Sequence, residues 1–374
     1  MRIYHSIMLF LVLLFAACAD QAADQPANQL SAPEPASVSS ADTLRYEKEG
    51  HFRNMHQLTF GGDNAEAYWS FDNEKLVFQA ANRAWGAQCD QIFWMNLDAE
   101  LEEKGKGLKQ ISNGQGRTTC AYFLPGDTSV VFASTHLIDS LCPEVPPKGP
   151  NGEYVWPIYD AYDIFTYNLD GEMMRQITSG PGYDAEATVS PKGDRMVFTS
   201  TRSGDLELYT CDLDGGDIVQ VTNELGYDGG AFFSPDGQKL IWRASRPKTE
   251  EDVKHYKELL TKGLVEPTAM ELFIANVDGS DMRQLTNLGG ANWAPFFHPN
   301  GDKVLFSSNH KTGSFPFNIF MINVDGTGLE QITFDNAFDS FPMFSPDGKR
   351  IAFSSNRNNG RTRNTNVFLA DWID

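Results

Sequence analysis

Residues 345–357 read SPDGKRIAFSSNR. A Ser-Pro-Asp-Gly turn leads into a short alternating apolar strand. The same unit recurs upstream as Leu124-Pro-Gly-Asp, Ser190-Pro-Lys-Gly, Ser234-Pro-Asp-Gly and His298-Pro-Asn-Gly, with a weaker copy at Ser70-Phe-Asp-Asn. Each is followed by a strand (LVFQA, VVFAS, MVFTS, LIWRA, VLFSS, IAFSS) and then by a second (IFWMNLD, IFTYNLDG, LYTCDLDG, LFIANVDG, IFMINVDG, VFLADW). Five of these lead to a third short strand ending KQIS, RQIT, VQVT, RQLT or EQIT.

About four short strands per unit, repeated, read as a β-propeller. The prolines at 125, 191, 235, 299 and 346 are 66, 44, 64 and 47 residues apart. The short intervals match one blade, and the long ones carry insertions at 137–160 and about 247–268. The second insertion contains TEEDVKHYKELLTKG, an amphipathic stretch that predicts a short surface helix. Six units are counted. The sixth lacks its Q-I-T strand, and a spare copy, His56-Gln-Leu-Thr, precedes the first unit. The expected fold is therefore all-β, a six-bladed propeller over residues 46–374 whose N-terminal strand closes the last blade and leaves no open edge. Asp-Gly steps at 170–171, 214–215, 278–279 and 325–326 predict hairpin turns rather than calcium loops, since the EF-hand spacing is absent.

Composition bounds the function. The 374 residues carry 30 Lys+Arg against 50 Asp+Glu, a net charge of -20, which repels phosphate backbones and speaks against a nucleic-acid partner. A collagen-like fibre and a polytopic membrane protein are also excluded. The N-terminus reads as an address. MRIYHSIMLFLVLLFAAC has a short positive start, an apolar run and small residues before Cys18, the pattern of a secretory signal over 1–17. Cys18 after Ala16-Ala17 resembles a bacterial lipobox, which would make Cys18 the lipidated N-terminus. Residues 18–45, rich in Ala, Pro, Ser, Asp and Gln, predict a flexible tether. The expected location is the cell envelope, the chain lipid-anchored, at the outer membrane facing the periplasm or the surface. Export permits disulfides. Cys89, Cys120 and Cys142 fall near one rim, and a bond involving Cys120 is expected, with Cys211 a packed thiol.

The unit at 345–357 resembles the repeat of TolB-type propellers, and all six units from residue 56 onward match it. The resemblance implies the fold and an envelope scaffold that docks with protein partners. Two departures matter: TolB carries a folded domain before its propeller and is soluble, whereas this chain has a tether and a lipobox. The oligogalacturonate lyases have similar repeats and hold manganese with His side chains at the central mouth. Here no pair of His has i, i+4 spacing. Prolyl-oligopeptidase-type hydrolases carry related propellers, but no G-x-S-x-G elbow occurs.

A register runs through the repeats. Seven residues before the Pro of each unit (Phe71 in the weak copy) stand Asn64, Thr118, Asp184, Asp228, Asn292 and Asp339; eleven after it stand Asn82, His136, Arg202, Arg246, His310 and Arg357. Asp in the first position is always matched by Arg in the second. The pairs Asp184–Arg202, Asp228–Arg246 and Asp339–Arg357 are expected to pin the rim, where Arg and carboxylate can fork. His136 and His310 would then face each other across the mouth. With Asp184, Glu186, Asp228, Asn292 and Asp339 they form the candidate ligand site, and the extra acids Asp63, Glu66 and Glu186 could make this mouth attract cations and hold a divalent one, calcium or manganese. No catalytic residue is assigned. The leading expectation is a non-enzymatic envelope binding module; the alternative is a metal-assisted glycan- or peptide-directed protein at the acidic mouth. A scaffold's apolar patch is expected around Trp156 and Tyr159.

Overall fold

The structure, a computed structural model, describes residues 43–374 apart from 147, 337 and 361. The signal at 1–17, Cys18 and nearly all of the 18–45 tether lie outside the described residues. Those described form six four-stranded antiparallel sheets and one two-stranded sheet. Each four-stranded sheet is a blade. Its first strand (Asp63–Trp69, Thr118–Phe123, Asp184–Val189, Asp228–Phe233, Asn292–Phe297, Asp339–Phe344) lies next to the same strand of the neighbouring blade. These six strands therefore surround the axis, and the ring closes between the first and the last.

The Ser-Pro-Asp-Gly turns form by local bonding. Ser345 Oγ donates to Asp347 Oδ1 at 2.7 Å and accepts from the Arg350 N–H at 3.0 Å. Ser234 and Ser70 do the same with Asp236 and Lys239, and with Asp72 and Lys75. The four Asp-Gly steps are hairpin turns, with φ of 81–88° at Gly171, Gly215, Gly279 and Gly326. Blade one departs from this rule. Where blades two to five have a tight turn, its longer LDAELE forms a helical turn, Leu97–Glu102, capped by Asn96. In the second insertion the helix runs Glu250–Leu260, and a capping box of Thr249 and Asp252 starts it.

The third strand of every blade (Gln91–Asn96, Asp163–Asn168, Glu207–Asp212, Glu271–Asn276, Asn318–Asn323 and Asn366–Trp372) is held by the Q-x-Thr/Ser motif that ends the outermost strand. Its hydroxyl accepts an N–H from that strand: Ser112 from Ile92, Thr178 from Ile164, Thr222 from Leu208, Thr286 from Leu272 and Thr333 from Ile319, all at 2.8–2.9 Å. In blade six the acceptor is Thr59, bonded to Val367 N–H at 2.8 Å. The N-terminal strand Phe52–Gln57 pairs with Asn366–Trp372, so the first and last of the described strands share one blade.

The closing segment is also clamped by charge. Arg357 forks onto both Glu49 oxygens at 2.9 Å and reaches Asp339 Oδ2 at 3.0 Å, with side-chain exposures of 2% for Arg357 and 0% for both acids. Removing one partner of a buried pair leaves an uncompensated charge. Glu49→Ala should lower stability by about 3 kcal/mol or more, read as a lower urea midpoint; a shift near zero would mean that this clamp does not hold the ring.

The residue that opens the third strand bonds the same hydroxyl in several blades, as Glu271 does to Thr286 at 2.6 Å and Gln91 to Ser112 at 2.8 Å. In blade three this residue is Glu207, 3% exposed, with one oxygen unpartnered among the described residues. Burial, with the charges of Asp228 and Asp205 nearby, pushes its carboxyl up to about 8 against an opposing bond from Thr222. A carboxyl raised in the fold contributes stability at low pH and loses it as pH rises. Stability should fall between about 4.5, the ordinary value, and about 8. Glu207→Gln should flatten that slope in thermal unfolding measured across pH; an unchanged slope would rule Glu207 out as its source.

Candidate functional site

Every first strand carries a β-bulge at the same place, between residues 65 and 68, 119 and 122, 185 and 188, 229 and 232, 293 and 296, and 340 and 343. One residue in each bulge takes positive φ: Glu66, Cys120, Glu186, Gly230, Ala294 and Phe341, at 49–61°. A bulge re-aims a side chain out of the pleat. All six residues line one axial cavity of about 720 Å³. The ring is thus two-faced, with acid, thiol and acid from blades one to three, and glycine, alanine and phenylalanine from blades four to six. At the opposite end the turn prolines 191, 235, 299 and 346 and Phe71 enclose a smaller apolar cavity of about 180 Å³.

Gly230 makes room for a buried cation. A Cβ at this position would lie 1.7 Å from Arg243 Nη1. Arg243 Nη2 pairs with Glu186 Oε1, which also accepts from Tyr227 Oη at 2.8 Å. Glu186 Oε2 accepts from Thr199 Oγ1 and Gly230 N–H, both at 2.7 Å. Burial raises the Glu186 carboxyl, but Arg243 and these donors outweigh it and hold it below the usual range. Glu66 differs. Its Oε2 accepts from Tyr68 Oη at 3.1 Å and Cys120 Sγ at 3.0 Å, both neutral donors. Burial pushes its carboxyl up and pushes the Cys120 thiol well up, which makes Cys120 a poor nucleophile.

The two insertions roof the cavity. Trp156–Pro157 of the first pairs with Leu264–Val265 of the second as the two-stranded sheet. Arg243 lies 5.3 Å above the Trp156 ring, Trp156 stacks on Trp293 at 5.0 Å, and Trp293 stacks on Phe317 at 4.7 Å. The column therefore runs from blade four through the roof to blade five. A disulfide, Cys89–Cys142, ties the first insertion to blade one. This corrects the sequence expectation of a bond through Cys120. Cys120 sits on an inner bulge facing the axis, out of reach of the rim, and remains a thiol; Cys211 is a buried thiol.

Of the mouth candidates read from the sequence, Glu186 and Glu66 line the cavity, and Asp63, Asp184, Asp228, Asn292, Asp339, His136 and His310 do not. His136 and His310 do not face each other. Each turns outward along its own blade onto a third-strand ring, Phe165 and Phe320 respectively, both at 4.6 Å. Each also bonds the Ser two residues before it through Nδ1, Ser134 and Ser308, at 2.8 Å, and burial lowers both imidazoles. The reason is geometric: the loop after the second strand overlies the third strand, farther from the axis. The arginines at the same register lie over rings too, Arg202 over Tyr209, Arg246 over Phe273 and Arg357 over Phe368. Arg202 Nη2 spans both Asp184 oxygens at 3.0 and 3.1 Å, and Arg246 Nη2 meets Asp228 Oδ1 at 2.7 Å. Burial still pushes the Asp228 carboxyl up to about 6. The full fork of Arg357 goes to Glu49, and Asp339 takes one nitrogen. Asn292 bonds Ser308, Glu271 and backbone carbonyls within and beside its blade. Among the described residues, no three His, Cys, Asp or Glu side chains are placed to share a metal ion. The cavity set lay two residues beyond the first register position. Its sequence signal was weak, because the six bulge residues share a backbone conformation and no chemistry.

The TolB β-propeller domain matches residues 140–266 and 260–363. The chain belongs to the TolB β-propeller family. No curated protein sequence matches it. Among solved structures, a TolB candidate from Agrobacterium tumefaciens superposes with a TM-score of 0.52 at 16% identity, over 86% of this chain and 97% of that one. A gluconolactonase from Xanthomonas campestris gives 0.55 at 12% identity, over 86% and 91%. At such identities the likeness carries the fold alone. In this TolB-type propeller the packing of Gly230 against Arg243 can be tested directly. Gly230→Ala should displace Arg243, strand the Glu186 charge and cost about 3 kcal/mol or more, measured by denaturant unfolding; wild-type stability would show that the Arg243 site is not confined by that glycine.

Proposed function

We propose that the chain is a non-enzymatic binding module of the cell envelope, held to a membrane by a lipid on Cys18 and presenting its propeller to a protein partner. The observation that carries this reading is the first insertion. Within it Leu137, Ile138, Leu141, Val145 and Tyr154 are 44–74% exposed. Such concentrations of exposed apolar side chains are the usual mark of an interaction surface. The patch lies beside Trp156 and Tyr159 rather than on them, since Trp156 is occupied in the stacked column and the Tyr159 hydroxyl bonds Glu144 O. The surface is held in place by the Cys89–Cys142 bond and by pairing with the second insertion. Family membership and the lipobox-like N-terminus agree with an envelope role. The metal-assisted glycan- or peptide-directed alternative gains no support from Glu186, whose oxygens are already taken by Arg243, Tyr227, Thr199 and Gly230.

A photo-crosslinking residue at Leu141, expressed in the native envelope, should give a discrete and reproducible protein adduct. Ile138→Asp should abolish it without lowering the thermal midpoint, because Ile138 is 64% exposed. Diffuse labelling unchanged by Ile138→Asp would overturn the proposal.

A further inference from the structure

Among the described residues, three carboxylates (Glu66, Asp90 and Glu186) and two arginines line the axial cavity. Two are matched. Asp90 pairs with Arg117 at 2.8 Å, and Glu186 pairs with Arg243. Both lining arginines are thereby used, and Glu66 has no cation in contact among the described residues. Its bonds come from an uncharged phenol and an uncharged thiol, and its Oε1 accepts no hydrogen bond from the described residues. A carboxyl in apolar surroundings gains most from a partner that brings its own positive charge. The surroundings are aromatic. Tyr68 stacks on Phe232 at 5.8 Å, and Phe341 lines the wall from blade six. Rings beside an acid stabilise an organic ammonium by cation–π attraction as well as by charge. A cavity of about 720 Å³ is the size of a small-molecule site and far too small for a folded domain. It reaches the surface at Tyr154 and Phe315, which are 56% and 68% exposed. The net charge of -20 draws cations toward such an opening.

We propose that the axial cavity binds a small ligand carrying one primary ammonium, which pairs with Glu66 while an apolar or aromatic body lies against Tyr68, Phe232 and Phe341. The ammonium can belong to a free amine or to the first residue of a peptide. The buried indole N–H of Trp293, 7% exposed at the residue level and without a hydrogen-bond partner among the described residues, also lines the cavity, and a nearby peptide carbonyl would match it. This site shares Tyr154 at its mouth with the protein-docking surface on the first insertion, but pairing at Glu66 and docking at Ile138 and Leu141 use different residues, so either can fail without the other.

The test is calorimetric titration of the folded, disulfide-intact propeller with 2-phenylethylamine and its uncharged counterpart, 2-phenylethanol. The amine should bind saturably, and the alcohol should bind about ten- to a hundredfold more weakly. Glu66→Gln, which keeps an acceptor for Tyr68 and Cys120, should erase that difference. A Phe-Gly-Gly tripeptide with a free amino group, set against its N-acetyl form, separates the two sources. Tighter binding of the free tripeptide than of the amine assigns a peptide terminus, and the reverse assigns a free amine. Equal binding of amine and alcohol, no saturable binding of the amine, or full amine affinity in Glu66→Gln would each overturn the proposal. The amine–alcohol comparison needs only the natural chain, so a misfolded variant would not leave the question open.

Discussion

The sixth blade is not built from consecutive residues. It borrows its outer strand from the start of the domain, and the rest of the ring depends on that loan. A propeller with an unpaired last strand would expose backbone N–H and C=O groups along an open edge. Here Phe52–Gln57 supplies the missing ladder, Thr59 repeats the hydroxyl bond seen in the other five blades, and Glu49 meets Arg357 in a buried fork. Closure is therefore made by the same local devices that build each blade, plus one charged clamp. The inner strands are held around the axis, and the cavity exists, only because the circle is complete.

Within that circle the bulges decide what the cavity contains. Six strands with one backbone plan deliver six unlike side chains to the axis, at Glu66, Cys120, Glu186, Gly230, Ala294 and Phe341. Gly230 is the exception that lets a neighbour in. Without a Cβ there, Arg243 reaches the axis and neutralises Glu186. The asymmetry of the site comes from substitution at equivalent positions, with the scaffold left unchanged.

Above the cavity the two insertions act together. Neither packs only on its own blade. Their short two-stranded sheet, the ring-stacked column through Trp156 and the Cys89–Cys142 bond turn two loops into one roof. The same roof carries the exposed apolar residues of the first insertion on its outside. One structure thus borders a buried ligand space and presents an interaction surface.

The blade count, the strand order and the borrowed strand were legible in the sequence, because turn chemistry and alternation are local and recur at a fixed period. The Asp–Arg matching at the rim was legible for the same reason, since both partners lie within one repeat. What faces the axis was legible only in part: Glu66 and Glu186 were picked out as acids near the mouth, but what surrounds them was not. His136 and His310 stood out by residue type, yet the loop that carries them overlies Phe165 and Phe320. Glu186 meets Arg243 across blades, 57 residues away in the chain, and Glu66 meets Cys120, 54 residues away. The pairing of Cys89 with Cys142 depended likewise on where an insertion travels after it leaves its blade. A short-range pattern settles hydrogen bonds between neighbours in the chain. Contacts across the axis arise only when six repeats are bent into a closed ring, and that curvature belongs to the tertiary structure.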